Sequence, residues 1–321
     1  MAKSYKHLTH DQRCQIHTLK ERGDSLAEIA RILCVHRSTI TRELQRNSGA
    51  RGYDYKKAHQ KAQDRRKKSH YLKMTPKMIL VIEEKIKIDW SPEQIAGWLK
   101  KQGREHVSYE TIYKHVWADK KKGGTLYKHL RHSGKKYNKR SKGTAGRGCI
   151  PGRIDIMERP KIVEEKIRLG DWELDTIIGA ERRGAIVSAV DRVAKLTKLA
   201  KVLHKTKEEV NAALLRKLQP IRKFVLTATS DNGKEFSGHE EISAALQASF
   251  YFATPYHSWE RGLNEHTNGL VRQYFPKGTN FDDVSEEDVE RVEALLNNRP
   301  RKSLGFETPL EAFDRLSSGG A

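Results

Sequence analysis

The sequence predicts a multidomain protein: an all-α, basic N-terminal region with two tandem helix-turn-helix patterns, then an α/β domain on a mixed sheet. Three observations predict it. Positive charge is confined to one half of the chain, and two short-turned helix pairs recur in that half. In the other half, three strand-like runs precede alternating helices and strands.

At 321 residues the chain has room for two or three domains. Residues 1–170 carry 41 Lys and Arg against 18 Asp and Glu, whereas residues 171–321 carry 21 against 23. The whole excess of +21 therefore lies in the first half. Such a partition points to a nucleic-acid-binding portion joined to a portion with another task, and a merely solvated basic surface would not produce it. No run approaches the roughly 18 apolar residues of a membrane span, and the N-terminus lacks a secretory core, so a cytoplasmic protein without membrane contact is expected. Cys14, Cys34 and Cys149 show no CxxC spacing. The pairs Cys14/His17 and Cys34/His36 lie inside helical patterns that explain them without zinc.

Residues 1–50 hold the first DNA-binding pattern. In GDSLAEIARILCVHRSTITRELQRN, Ser25 and Glu28 have capping-box spacing, and Leu26, Ile29, Ala30 and Leu33 form one apolar stripe. The chain turns at Cys34-Val35-His36, where glycine would be the easier choice, and a second helix starts near Arg37 or Ser38. Ile40 and Leu44 anchor it inward. Arg37, Ser38, Thr41, Arg42, Gln45 and Arg46 are left outward, a set able to bond base edges and phosphates from a major groove.

A basic helical connector spans 51–90, and the helix-turn-helix pattern returns at 91–117. Ser91, Pro92 and Gln94 supply an N-cap, a first-turn proline and a capping-box partner, and Ile95, Trp98 and Leu99 make the stripe. Ser108 caps a second helix with Ile112 and Val116 inward. Tyr109, Glu110, Thr111, Tyr113 and Lys114 compete for the outward face, although both tyrosines would also suit a core. Ser108, Tyr109, Thr111, Tyr113 and Lys114 are the candidate DNA contacts. Residues 118–167, rich in Lys, Gly and Ser, read as a basic linker that tracks phosphates without reading sequence.

From 168 to 321 the texture is α/β. DWELDTIIG, GAIVSAVDR and KLAKVLHK read as three strands, 206–221 as a helix, 224–230 as a strand and 238–247 as a helix. SFYFATP comes next, and then a helix over 259–274. Asn232-Gly233 alone would favour a hairpin turn. The segment after it is helical, with Ser237 and Glu240 at capping-box spacing, so Asp231 ends a strand in a strand–loop–helix unit, where open α/β sheets place their sites.

Helical spacing sets Leu263, Thr267, Leu270 and Tyr274 on one face of the last helix, and Glu265, Asn268 and Arg272 on the other. In the first strand Glu173 and Asp175 share a face by period two, with Asp171 and Asp191 nearby. Periodicity does not choose among these four, nor between Glu260 and Glu265.

Asp175, Asp231 and Glu265, with 33 residues between the last two, resemble the DDE triad of the transposase and retroviral-integrase superfamily. GDWELDTIIG, TSDNGKEF, PYHSWERGLNEHTNGLVRQYFPKG and NNRPRKSLGFETPLEAF look like the insertion-sequence transposases of the IS-thirty type. The resemblance covers nearly the whole chain and selects Asp175 and, through NEHTNG, Glu265. It implies an RNase-H-like catalytic domain, a DDE endonuclease and strand transferase, and a copy-out, paste-in route through a circular intermediate. Partners would be double-stranded DNA, as terminal inverted repeats and target, and further copies of the chain, a dimer or larger on DNA. It also implies a cytoplasmic protein at the bacterial nucleoid. By resemblance Arg272 contacts DNA near the scissile phosphate, with His257, Asn264 and Asn268 as candidate helpers. Trp259 fits a core better than a stacking role.

Crowded carboxylates raise one another's pKa unless cations neutralise them. Hard oxygen donors suit Mg²⁺ or Mn²⁺, and two such ions activate an attacking hydroxyl and stabilise a leaving oxygen. No organic cofactor is implied. Two rivals remain at this level: a sequence-specific repressor with a non-catalytic dimerisation domain, and a nuclease that cuts without joining.

Overall fold

The computed structural model describes residues 7–50, 52–71, 74–104, 107–131, 150–255 and 257–319. The chain divides into two units, Met1–Leu80 and Val81–Ala321.

In the first unit α1 (His10–Glu21) opens with a two-sided capping box between Thr9 and Gln12. Then come α2 (Leu26–Ile32), α3 (Arg37–Asn47) and α4 (Tyr55–Tyr71). Ile16, Ile29, Ile40, Leu44, Tyr53 and Ala58 share the core, and full burial of each large aliphatic contributes about 1.5–3 kcal/mol. The Ser25 hydroxyl caps α2 at Glu28 N as expected, but Glu28 pairs with Arg31 instead of returning to the cap. Cys34 takes φ +52°. The short turn thus forms without glycine, at a left-handed cost of about 1–2 kcal/mol. A buried pair absent from the sequence reading locks α1 to α3: Arg13 Nε donates to Glu43 Oε1 at 2.7 Å, and Tyr53 donates to the same oxygen at 3.2 Å.

The second unit begins within α5 (Pro76–Lys87) and continues through α6 (Pro92–Lys101) and α7 (Tyr109–Lys121). The Ser91–Gln94 box forms in both directions, Ser108 caps α7, and Ile112 and Val116 are buried. This helix pair docks on the chain's C-terminal segment. Lys101 meets Glu307 at 3.0 Å, Lys302 meets Glu93 at 2.7 Å, and Gly97 leaves room for the Phe306 ring, which a Cβ there would strike.

Five strands form one sheet in the order β3-β2-β1-β4-β5. They are β1 (Asp171–Ile178), β2 (Ala185–Asp191), β3 (Thr197–Val202), β4 (Thr227–Ser230) and β5 (Ser249–Phe252). The first three are antiparallel neighbours, while β4 and β5 run parallel to β1, the RNase-H-like arrangement. After α8 (Ile162–Glu165), one face carries α9 (Lys207–Leu218), α10 (His239–Leu246) and α13 (Pro309–Ser318) over Trp172, Leu174 and Val187. The other carries α11 (Gly262–Tyr274) and α12 (Glu286–Asn297) over Ile177, Ile186 and Leu199. Glu173 and Asp175 have the parity of Ile177 and so face α11.

Several boundaries differ from the expectation. β4 starts at Thr227 rather than 224, because its partner β1 starts at Asp171 and residues 219–224 coil into a 3₁₀ turn. No Ser237 cap forms on α10; a 3₁₀ turn at Lys234–Phe236 delays the helix, and Gly238 takes the N-cap position. α11 begins at Gly262, after a 3₁₀ turn at Ser258–Arg261. Of the expected 118–167 linker, 132–149, including Cys149, lie outside the described residues. Residues 150–167 are folded: Ile150 joins the core, and Phe252 N donates to Ile154 O at 2.9 Å, extending the sheet beyond β5.

Candidate active site and nucleic-acid interface

Four carboxylates cluster along β1 and its neighbours, and their partners separate them. Asp171 is buried, held by Arg168 at 3.1 Å and by the Thr227 hydroxyl at 2.8 Å. Asp191 is buried and accepts from the backbone of Gly170, Val193 and Ala194, ordering the β2–β3 turn. Glu173 is 2% exposed; Arg192 Nε lies 3.3 Å away, and Asn264 N donates to it at 3.2 Å. Burial pushes the Glu173 carboxyl up, against the pull of Arg192. These three carboxylates are committed to structure.

Asp175 differs. It is half-buried, one oxygen accepting from Thr176 N at 2.9 Å and the other from Asn268 Nδ2 at 2.7 Å. Asn268 Oδ1 in turn accepts from the Ser188 hydroxyl at 3.2 Å, and Ser188 pairs with Asp175 across the β1–β2 ladder. The spacings explain the contacts. Two residues of strand advance about 6.6 Å and four of helix about 6 Å, so Glu173 meets Asn264 while Asp175 meets Asn268.

Asp231 follows the last residue of β4. Its Oδ1 accepts from Gly233 N at 3.0 Å and closes the turn, while Oδ2 faces Arg261 Nη2 at 3.5 Å. The other Arg261 terminal nitrogen lies 3.8 Å from Asp175 Oδ1 and donates to Leu174 O at 2.9 Å. One guanidinium therefore stands between the two aspartates. Burial pushes the Asp175 carboxyl up; Arg261 opposes this and the Asp231 charge adds to it. A pair of hard oxygen donors that draws a cation between them has the chemistry to hold a divalent metal.

Glu265 is exposed on α11 and lines a depression of about 810 Å³ with Asp175, Asn268, Arg272 and Lys277. Its rival Glu260 accepts from Thr254 N at 2.9 Å and lies 3.2 Å from His257 Nδ1. The structure thus brings Asp175 to Asp231 through Arg261, and Asp175 to Glu265 through a shared depression. Among the described residues no three His, Cys, Asp or Glu side chains stand close enough to hold a metal together. Arg272 donates to Ile178 O at 2.7 Å and walls the same depression. Asn264 is fully buried, and its side-chain amide has no hydrogen-bond partner among the described residues. The Trp259 side chain lies outside the described residues. Sequence reasoning missed Arg261 and Ser188. The only signals were a basic residue just before the Glu265 helix and the hairpin register opposite Asp175.

In the first unit Arg37, Arg42, Gln45 and Arg46 are exposed on α3, and Ser38 and Thr41 are half-buried. Arg65 and Arg66 of α4 join Arg42 and Arg46 around a depression of about 630 Å³, extending the basic face beyond the helix singled out from sequence. The α7 cap Ser108 is exposed, as are Tyr109, Tyr113 and Lys114 on the helix, and Thr111 is half-buried. The two tyrosines are therefore not core, and Trp117 continues their four-residue stripe. Among the described residues no helix is long and apolar enough to cross a membrane.

Residues 4–47 match the family model of a helix-turn-helix domain. The transposase for insertion sequence element IS4351 of Bacteroides fragilis is 46% identical over 315 residues, covering 97% of this chain and 96% of that protein. Transposase InsI for insertion sequence element IS30A of Escherichia coli K12 is 35% identical, covering 96% and 84%. Among solved structures, the catalytic core domain of BIV integrase aligns with 47% of this chain and 98% of its own at 21% identity, with a TM-score of 0.37.

Proposed function

This chain belongs to the IS30-type insertion-sequence transposases, and from that premise we propose that it binds its element's terminal inverted repeats and cleaves and joins DNA strands at Asp175, Asp231 and Glu265. The observation that carries the catalytic reading is the pair Asp175 and Asp231 at neighbouring strands, facing one cation, beside the depression that Glu265 lines.

Each residue has a task in this reading. Ser188 and Asn268 fix the rotamer of Asp175, so its donor oxygens are set before DNA arrives. The turn bond to Gly233 N leaves Asp231 Oδ2 directed at the site. Arg261 neutralises both aspartates, and Arg272 and Lys277 add positive charge where a phosphodiester would lie. Asp175, Asp231 and Glu265 would hold Mg²⁺ or Mn²⁺, two ions per site, which supply activation of the attacking hydroxyl and neutralisation of the leaving oxygen. α3 and α7 would read the element end, with Arg65 and Arg66 tracking its backbone. Two ends must be brought together, so the working form is a dimer or larger on DNA.

The test mixes the protein, a labelled duplex bearing its element end, target DNA and Mg²⁺, with Asp231→Asn alongside. Nicked and joined products from the wild type, and an end-binding but inert variant, are expected. Tight end binding with no cleavage by either protein in Mg²⁺ or Mn²⁺ would move the assignment to a repressor. Cleavage without joined products would move it to a nuclease.

A further inference from the structure

A second depression, of about 630 Å³, adjoins the catalytic one. Gly262 lines both, and a side chain there would meet nothing within 4 Å. Glu173 lies in this second wall and Asp175 in the first, two residues or about 6.6 Å apart along β1. Five basic residues, Arg159, Lys161, Lys166, Arg192 and Lys195, line the second wall with Glu164, Glu260 and the apolar Ile156, Met157 and Leu263.

Its carboxylates leave that charge incompletely answered. Glu173 is taken by Arg192 and Asn264 N, and Glu260 by Thr254 N and His257. Glu164, 60% exposed, is shared between Arg159 and Arg192. Both arginines are more than nine-tenths buried; Arg159 Nε makes no hydrogen bond among the described residues, and Arg192 Nε has only the 3.3 Å ion pair with Glu173 there. Among the described residues Lys195 Nζ bonds a backbone carbonyl, that of Arg192, and both burial and the charge of Lys166 disfavour its ammonium form. Lys166 and Lys195 also sit in left-handed backbone, at φ +54° and +61°. Non-glycine residues adopt that conformation at about 1–2 kcal/mol each, and such strain gathers at functional sites.

We propose that this depression is a phosphate subsite, in which Lys166 and Lys195, backed by Arg159 and Arg192, hold a DNA backbone phosphate next to the scissile one. This rests on the transposase reading. A strand crossing Gly262 would lay neighbouring phosphates in the two depressions, and the subsite would set the register of the strand being cut.

The test uses the full chain as wild type, as Lys166→Gln/Lys195→Asn, and as the charge-keeping Lys166→Arg/Lys195→Arg. Asn tolerates left-handed backbone, which protects the fold. Element-end duplexes carry one neutral methylphosphonate at each position around the cleavage point in turn. For the wild type, one position beside the scissile phosphate is expected to weaken binding and slow cleavage roughly tenfold. The neutral variant shows that loss on unmodified DNA, is indifferent to that methylphosphonate, and has a salt slope shallower by about 0.9. The arginine variant behaves as wild type. A neutral variant that equals wild type on unmodified DNA, or stays equally sensitive at every position, overturns the subsite while wild-type cleavage keeps the transposase reading. If inorganic phosphate stabilises the wild type and not the neutral variant, with no sensitive methylphosphonate position, the pocket is a free-anion site and the DNA assignment fails. A wild type that neither binds nor cuts its ends overturns both.

Discussion

The Asn268 side chain donates to Asp175 at 2.7 Å while accepting from Ser188, so the first aspartate is aimed by a relay that starts across the hairpin. Losing that relay should leave Asp175 in place but mobile. Asn268→Ala is expected to lower cleavage roughly 10–100-fold at limiting Mg²⁺. Raising the metal concentration should recover much of it, and end binding should be unchanged. A uniform loss at every metal concentration would deny Asn268 this positioning role.

Arg261 occupies the space between Asp175 and Asp231 and is itself largely buried. Arg261→Gln removes a cation that two carboxylates share. In chelator the variant should be less stable by about 1–3 kcal/mol. Adding Mg²⁺ should then raise its melting temperature more than it raises that of the wild type. An identical metal-induced shift in both proteins would show that the guanidinium and the metal do not share those oxygens.

The Glu173–Arg192 pair gives a pH-dependent prediction. Burial pushes the Glu173 carboxyl above its unfolded value, so the folded state holds its proton at pH values where the unfolded state has lost it. That contribution is full below about pH 4.3, the unfolded value, and is lost as pH rises through the folded pKa. Arg192→Met takes away the opposing cation and extends the window upward. The variant should be destabilised by about 3–5 kcal/mol at neutral pH, with the gap to wild type narrowing as pH falls. Glu173→Gln/Arg192→Met should recover most of the loss. Urea unfolding across pH would check this, and a gap independent of pH would refute it.

Cys34 sits at φ +52° in the turn between α2 and α3, exposed to solvent. Cys34→Gly should relieve the left-handed strain, offset by the greater chain entropy of glycine when unfolded, for a net gain of roughly 0.5–1 kcal/mol. Thermal unfolding of the full chain would register it in the transition of the N-terminal unit. Destabilisation instead would mean that the cysteine side chain contributes packing that outweighs the strain.

Much of the architecture was legible because its signals are local. Ile29, Ala30 and Leu33 with Ile40 and Leu44 specify a helix pair by spacing alone, and Ser91, Pro92 and Gln94 announce α6 from four adjacent positions. Strand parity placed Glu173 and Asp175 on one face, and the helix after Asp231 excluded a hairpin tip. Less legible were ends set by distant partners. β4 begins where β1 offers a ladder, and residues 150–167 fold because β5 has an edge for them to extend. Composition presented that stretch only as linker.

For the site, the residue pattern alone determined that carboxylates gather on one strand face, at one strand end and on one polar helix face. It could not tell carboxylates tied up by structural partners from one left facing a second carboxylate, since Asp171, Glu173, Asp175 and Asp191 carry the same chemistry. Tertiary structure made that distinction by supplying partners. Arg168 and Thr227 hold Asp171, Arg192 holds Glu173, and a backbone turn holds Asp191, while Asp175 is left facing Asp231 across Arg261. Periodicity is a property of neighbours along the chain. The commitment of a buried charge depends on which donors distant segments bring within about 3 Å, and only folding decides that.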